Sequence, residues 1–338
     1  MIQINDKRFK ALLITQFLGA FNDNALKLMM SLFIVNSFLG TKLSGVYISL
    51  LGIIFILPFI IFSTYAGYLA DKFSKKNIIV GSKLFEFLIM IIGAFFLVNN
   101  NLLGMMTILF FMGTHSAFFS PAKYGILPEI LKDEDLSEGN GSIEFFTYFA
   151  IILGMFCGNS IFLLFKTNRL MAALIFILIA LLGLIVSFFI PNVEASGSTR
   201  NIKLNFLNEI YHNVKEIKQE KTIFLSVLGL MFFGLLAALF QLNIVKYIKE
   251  MMSINNFFEG IILASIALGL GIGGFLAGKL SEKKIEFGLV PLGALGLAFF
   301  SCLSGISYNS FIFTLIIFIF TGVFSVFYII PLNSYIQQ

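Results

Sequence analysis

A chain of 338 residues with 58% hydrophobic and 12% charged side chains cannot cover itself with a water-facing surface, which takes about a quarter charged residues. The formal net charge of +5 lies mostly in turns between apolar runs, where it orients a chain in a bilayer and gives no reason to expect a nucleic-acid partner. Cys157 and Cys302 both fall inside apolar runs and read as small core residues, so no disulfide, metal site or cofactor is expected.

Lys7, Arg8 and Lys10 precede an apolar run too long for the core of a cleavable signal. A crossing of the hydrocarbon core takes about 20 mostly apolar residues. Runs of that kind occur near 11–38, 45–70, 77–98, 101–121, 140–165, 169–190, 222–247, 257–280, 287–306 and 310–334. Lipid offers a bare backbone no hydrogen-bond partner, so each run predicts a helix, and the alternation of a barrel strand is missing. The prediction is an all-α membrane protein with about ten spans.

Lysine and arginine then sort by side. Lys7, Arg8 and Lys10, the turn at Lys72, Lys75 and Lys76, Lys123 and Lys132 share one side. The stretch from Arg200 to Lys221 and the turn at Lys279, Lys283 and Lys284 join them. The opposite side holds only Lys42, Lys166, Arg169, Lys246 and Lys249. The excess of positive charge predicts a cytoplasmic N-terminus.

Residues 191–221 are the one long break. They divide the chain into an N-terminal bundle of six helices, 1–190, and a C-terminal bundle of four, 222–338. Leu207, Ile210, Tyr211, Val214 and Ile217 recur at helical spacing within the break. An amphipathic helix is expected there, lying on the cytoplasmic interface or solvated as a plain linker.

The two bundles carry related sequence. Gly67-Tyr-Leu-Ala-Asp71-Lys72-Phe-Ser-Lys75-Lys76 follows the second span, and Gly274-Phe-Leu-Ala-Gly-Lys279-Leu-Ser-Glu-Lys283 follows the eighth, with six of ten positions identical. Gly113 and Pro121 of the fourth span correspond to Gly322 and Pro331 of the tenth. Parallel repeats about an axis normal to the membrane mark the major facilitator fold.

The stretch from Gly67 to Lys76 resembles the signature of the major facilitator superfamily between its second and third helices. In that family the glycine lets helices approach and the aspartate, here Asp71, braces one conformational state against an eleventh helix. Lys72, Lys75 and Lys76 complete the motif. The fold has twelve helices and this chain about ten, so a C-terminally incomplete sequence is expected.

Two further stretches resemble the bacterial lysophospholipid transporters. They are Phe17-Leu-Gly-Ala-Phe-Asn22-Asp23-Asn24-Ala25, and Gly113-Thr-His115-Ser-Ala-Phe-Phe-Ser-Pro121-Ala-Lys123-Tyr124-Gly125-Ile-Leu-Pro128-Glu129. The run Phe240-Gln241-Leu-Asn243 is closer to members fused to an acyltransferase and an acyl-carrier-protein synthetase, since stand-alone members tend to carry an arginine near Phe240. The resemblance implies a transporter of the bacterial inner membrane and no enzyme within these residues. Its implied partners are a lysophospholipid, membrane lipids and a fused or separate acyltransferase/acyl-ACP synthetase.

Asp23 is the costliest residue, because a carboxylate in mid-span needs pairing or hydration. Gln16, Gly19, Asp23 and Lys27 share one helical face, expected to turn toward a cavity, and Asp23 and Lys27 are spaced to pair. Asn22 and Asn24 flank the acid and can hydrogen-bond it or a ligand. Lys123 is a compact cation suited to a phosphate oxygen or to simple anchoring. His115 can titrate or act as a packed polar contact. Lys83 and Glu86 form a candidate i,i+3 pair, with Glu144 and Gln241 as weaker candidates. Gly269-Leu-Gly271-Ile-Gly-Gly274 matches a dinucleotide fingerprint only literally; inside an apolar span it reads as helix packing. The alternatives to a lysophospholipid transporter are a proton-coupled exporter or solute porter using Asp23, and a membrane lipid enzyme.

Overall fold

In the computed structural model the described residues are 6–37, 43–165, 168–195, 214–247, 252, 256–280 and 285–337. They form helices α1 (Lys7–Ser37), α2 (Leu43–Lys72), α3 (Lys75–Val98) and α4 (Leu102–Gly125). The short α5 (Leu127–Ile130) leads to α6 (Leu136–Leu164) and α7 (Arg169–Ser187). After the break come α8 (Lys221–Lys246), α9 (Asn256–Leu280), α10 (Leu289–Ser307) and α11 (Phe311–Gln337). Ten long helices thus occupy the ten expected positions. Most of the expected amphipathic linker helix lies outside the described residues; Val214 and Ile217 sit in its one described helical turn.

Local chemistry explains the helix ends. Asp6 opens α1 by accepting the Arg8 N–H at 2.8 Å. Between α3 and α4, Asn100 turns the chain at φ 56°, a conformation asparagine tolerates, and the Asn101 side chain caps α4 by accepting from the Gly104 N–H. Pro121 does not end α4, which runs on to Gly125, since a proline inside a membrane helix is tolerated where neighbours can satisfy the freed backbone group.

Among the described residues, seven helices are long and apolar enough to cross a membrane on length and composition alone. α1 is not among them, because Gln16, Asn22, Asp23, Asn24 and Lys27 lower its hydropathy. Large apolar side chains such as Ile53, Ile60, Phe95, Leu178 and Phe299 stand on the outside, as lipid-facing surface requires.

α1 packs on α6 and α7, α2 on α4, and α3 on α4 and α7, while α8, α9 and α10 pack on α11. α6 joins the two groups by lying against α9 and α11. The repeat is visible in these packings. A Cβ on Gly113 of α4 would overlap the Phe55 carbonyl oxygen of α2, and one on Gly322 of α11 would overlap the Ile266 carbonyl oxygen of α9. Corresponding glycines thus seat corresponding helix pairs, and side-chain-free contact is what lets backbones approach in lipid. Gly113→Val is expected to cost about 1–3 kcal/mol through overpacking, read as a lower unfolding temperature in detergent.

Gly67 behaves differently from its expected role. A Cβ there would meet nothing within 4 Å, so this glycine seats no neighbouring helix among the described residues. Gly154 and Gly158 do act as a packing face: added Cβ atoms would press on the Phe21 and Ala25 carbonyl oxygens and hold α6 off α1.

Candidate functional site

Two apolar clusters fill the first bundle. One gathers Phe9, Leu12, Ile79, Phe119 and Leu127 at the end carrying the basic turns. The other gathers Leu26, Met30, Met90, Ile108 and Phe176 toward the opposite end. Between them, at the same height on α1, α3 and α4, lies a belt of polar side chains. Asn22, Asp23, Lys83, Glu86 and His115 are all buried in it.

The belt is built by contacts between helices. Glu86 accepts from the Lys83 ammonium at 2.7 Å and from the Asn22 amide at 3.0 Å, and the His115 Nε2 lies 3.3 Å from its carboxylate. Lys83 and Glu86 are each 1% exposed, so the direct contact offsets a large desolvation cost. Gly19 makes room for this pair, since a Cβ there would overlap the Lys83 Nζ. The Asp23 Oδ2 accepts from the Ser116 hydroxyl at 2.7 Å, and that hydroxyl also lies 3.3 Å from the His115 Nδ1. The second Asp23 oxygen and the Asn22 amide oxygen are buried without a hydrogen-bond partner. A buried carboxylate with a spare oxygen is an acceptor for a ligand, a water or a proton.

The expected α1 face is divided among neighbours. Gln16 donates to Thr147 of α6 at 2.8 Å, Gly19 faces α3, and Asp23 faces α4. Lys27 does not form an ion pair with Asp23; its ammonium sits 4.1 Å from the centre of the Phe55 ring on α2. A cation over an aromatic face keeps its charge partly solvated while the acid turns to a hydroxyl donor. The Asn24 amide donates to the Ala20 carbonyl of its own helix rather than to the acid.

A second group lies toward the basic end. Lys123 lies in the last turn of α4, at the margin of the span as the sequence places it, and is only 5% exposed. Its ammonium lies 4.1 Å from the centre of the Tyr124 ring. The Tyr124 hydroxyl donates to Glu144 of α6 at 2.7 Å, and Glu144 is 7% exposed. One turn below Glu144, Asn140 and Gln337 of α11 exchange amide hydrogen bonds, each at 2.9 Å, and Ser334 lies 3.2 Å from the same Asn140 nitrogen. Gly141 meets Gly274 and Ile330 there, so the two bundles are closed against each other at this end.

In the signature loop, Gly67, Asp71 and Lys72 belong to the last turns of α2. Lys72 donates to Tyr68 at 3.0 Å, and Asp71 is exposed. Lys75 is buried and pairs with Glu129 of α5, tying the loop to the end of the Pro121–Glu129 motif, while Lys76 is half-buried. Gln241 lies on α8, and its side chain is outside the described residues.

Sequence reasoning gives no role to Ser116 or Asn140, while the pairing it expects between Lys83 and Glu86 is present. Ser116 follows His115 within a quoted motif, which was the available signal. Asn140 offered none beyond being polar at the start of a span. Among the described residues no cluster of histidine, cysteine and carboxylate side chains could hold a metal.

The comparisons with known proteins agree with this architecture. A sequence model of the Major Facilitator Superfamily matches residues 12–338. Lysophospholipid transporter LplT of Photorhabdus laumondii is 28% identical over 337 residues, covering 97% of this chain and 79% of that protein. The protein of the same name from Yersinia pestis is 27% identical over 334 residues, covering 97% and 78%. Among solved structures, the human organic anion transporter MFSD10 has a TM-score of 0.76 at 12% identity, over 97% of this chain and 85% of that one. The transporter FucP in its outward conformation has a TM-score of 0.67 at 16% identity, over 98% and 90%. At those identities the solved structures speak for the fold alone. With its paired glycine-seated helices and a family model spanning nearly all of its length, the chain belongs to the major facilitator superfamily.

Proposed function

We propose that this chain is a lysophospholipid transporter that moves lysophosphatidylethanolamine-type lipids across a bacterial inner membrane to the cytoplasmic leaflet. There a fused or separate acyltransferase/acyl-ACP synthetase reacylates them. The observation that carries the reading is Asp23, a buried carboxylate in mid-helix with one oxygen held by Ser116 and the other unpartnered. Relatives named as lysophospholipid transporters over nearly the whole chain support the substrate class.

In this reading residues 1–190 and 222–338 are the two bundles, joined by the cytoplasmic segment 191–221. The basic end, with the N-terminus, faces the cytoplasm, as the positive-inside rule favours. Asp23, with Asn22, Asn24, Lys27 and His115 about it, gates or binds the polar head. Lys123 and Gln241 are assigned to the same route, and Gly67, Asp71, Lys72, Lys75 and Lys76 to the change between conformations. The protein moves its substrate without altering it.

Uptake of labelled lysophosphatidylethanolamine into spheroplasts, with and without the protein, tests the reading; equal uptake in both rejects it. A flippase acting down a lipid gradient is expected to keep working when a protonophore is added. Collapse of uptake under the protonophore, with competition by small solutes, would favour a proton-coupled porter using Asp23.

A further inference from the structure

Three lysines of the first bundle are at most 6% exposed: Lys75, Lys83 and Lys123. Two are held by carboxylates, Lys83 by Glu86 and Lys75 by Glu129. Lys123 has no carboxylate within ion-pair distance among the described residues. A buried ammonium without an acid is costly, and the other two lysines show how this protein satisfies one when the purpose is structural.

The nearby acid is Glu144, itself buried and likewise outside any ion pair among the described residues. Tyr124 stands between them, its ring face toward the Lys123 ammonium and its hydroxyl on Glu144. The tyrosine fixes both groups and leaves each with unused capacity for an opposite charge. Glu144 is one turn from Asn140, which reaches α11, and one turn from Tyr148, which packs on the cluster formed by α9, α10 and α11. This face of α6 is the one turned to the second bundle, where a solute passing between the bundles would meet it.

We propose that Lys123 and Glu144 form a receptor for a zwitterionic headgroup, with Lys123 taking the phosphate and Glu144 a primary ammonium. The proposal rests on the lysophospholipid reading and adds the headgroup selection to it. Lys123 supplies a point charge for any phosphodiester, whereas Glu144 discriminates, because only an amine-bearing headgroup completes it.

The test measures uptake of lysophosphatidylethanolamine and lysophosphatidylglycerol at equal amounts of membrane-inserted protein. Glu144→Gln is expected to lower the ethanolamine-to-glycerol uptake ratio about tenfold or more, the effect of losing one charge-assisted hydrogen bond. Glu144→Asp restores part of that ratio, and Lys123→Gln lowers both uptakes together. An unaltered ratio in Glu144→Gln, or parallel loss of both substrates in that variant, overturns the proposal. Inorganic phosphate competing as well as glycerophosphoethanolamine against the wild type also overturns it, since the site would then recognise an anion alone. Failure of the wild type to carry either lipid sinks the transport reading itself and is distinct from every one of these results.

Discussion

The Asp23→Ala variant is expected to reach the membrane in normal amount and to carry lysophospholipid on the order of a hundredfold more slowly than the parent chain. The carboxylate has one hydrogen bond to lose, at 2.7 Å from Ser116, and that hydroxyl retains the His115 ring nitrogen at 3.3 Å as an alternative partner. Removing a charge from the least hydrophobic long helix also makes its insertion easier. The fold therefore has little reason to suffer, while the unpartnered oxygen available to a ligand or gate disappears. Asp23→Asn, which keeps the shape and drops the charge, is expected to be equally slow. Uptake at the parental rate in either variant, with protein levels matched, would assign Asp23 a purely structural role.

Glu86→Ala should instead unfold the protein. It strands the Lys83 ammonium in a site 1% exposed and removes the acceptor of the Asn22 amide, a loss on the order of 3–5 kcal/mol. Purified protein in detergent should show this as a much lower unfolding temperature. The double variant Lys83→Met with Glu86→Leu should recover most of the stability, because a buried ion pair can be exchanged for apolar side chains of similar volume at little cost. Single and double variants that melt together would show that the pair is not the source of the effect. Both Glu86 oxygens accept a hydrogen bond, one from Asn22 of α1 and one from Lys83 of α3, with His115 of α4 close by, whereas Asp23 keeps an oxygen in reserve.

The number and position of the long helices were legible in the sequence, since span length and apolarity are local properties that lipid reads directly. The internal repeat was legible as residue identity. Which repeated glycines seat a neighbour was not: Gly113 and Gly322 do, and Gly67 does not. A glycine permits close approach, and only the pairing of helices decides whether a backbone arrives to use it.

The same division runs through the candidate site. Sequence by itself determined that Asp23 would be costly, that Lys83 and Glu86 could meet across one helical turn, and that the chain would form ten long, mostly apolar helices. Tertiary structure decided the partners. Asp23 turned to Ser116, 93 residues away, instead of the lysine four positions along its own helix, and Lys27 went to the Phe55 ring. Asn22 found Glu86 across 64 residues, and Asn140 found Gln337 across 197. In a low-dielectric interior an unpaired polar group is costly, so packing favours the arrangement that pairs most of them. Helical spacing names the local candidates, but the competing ones come from other helices, and only packing brings them close.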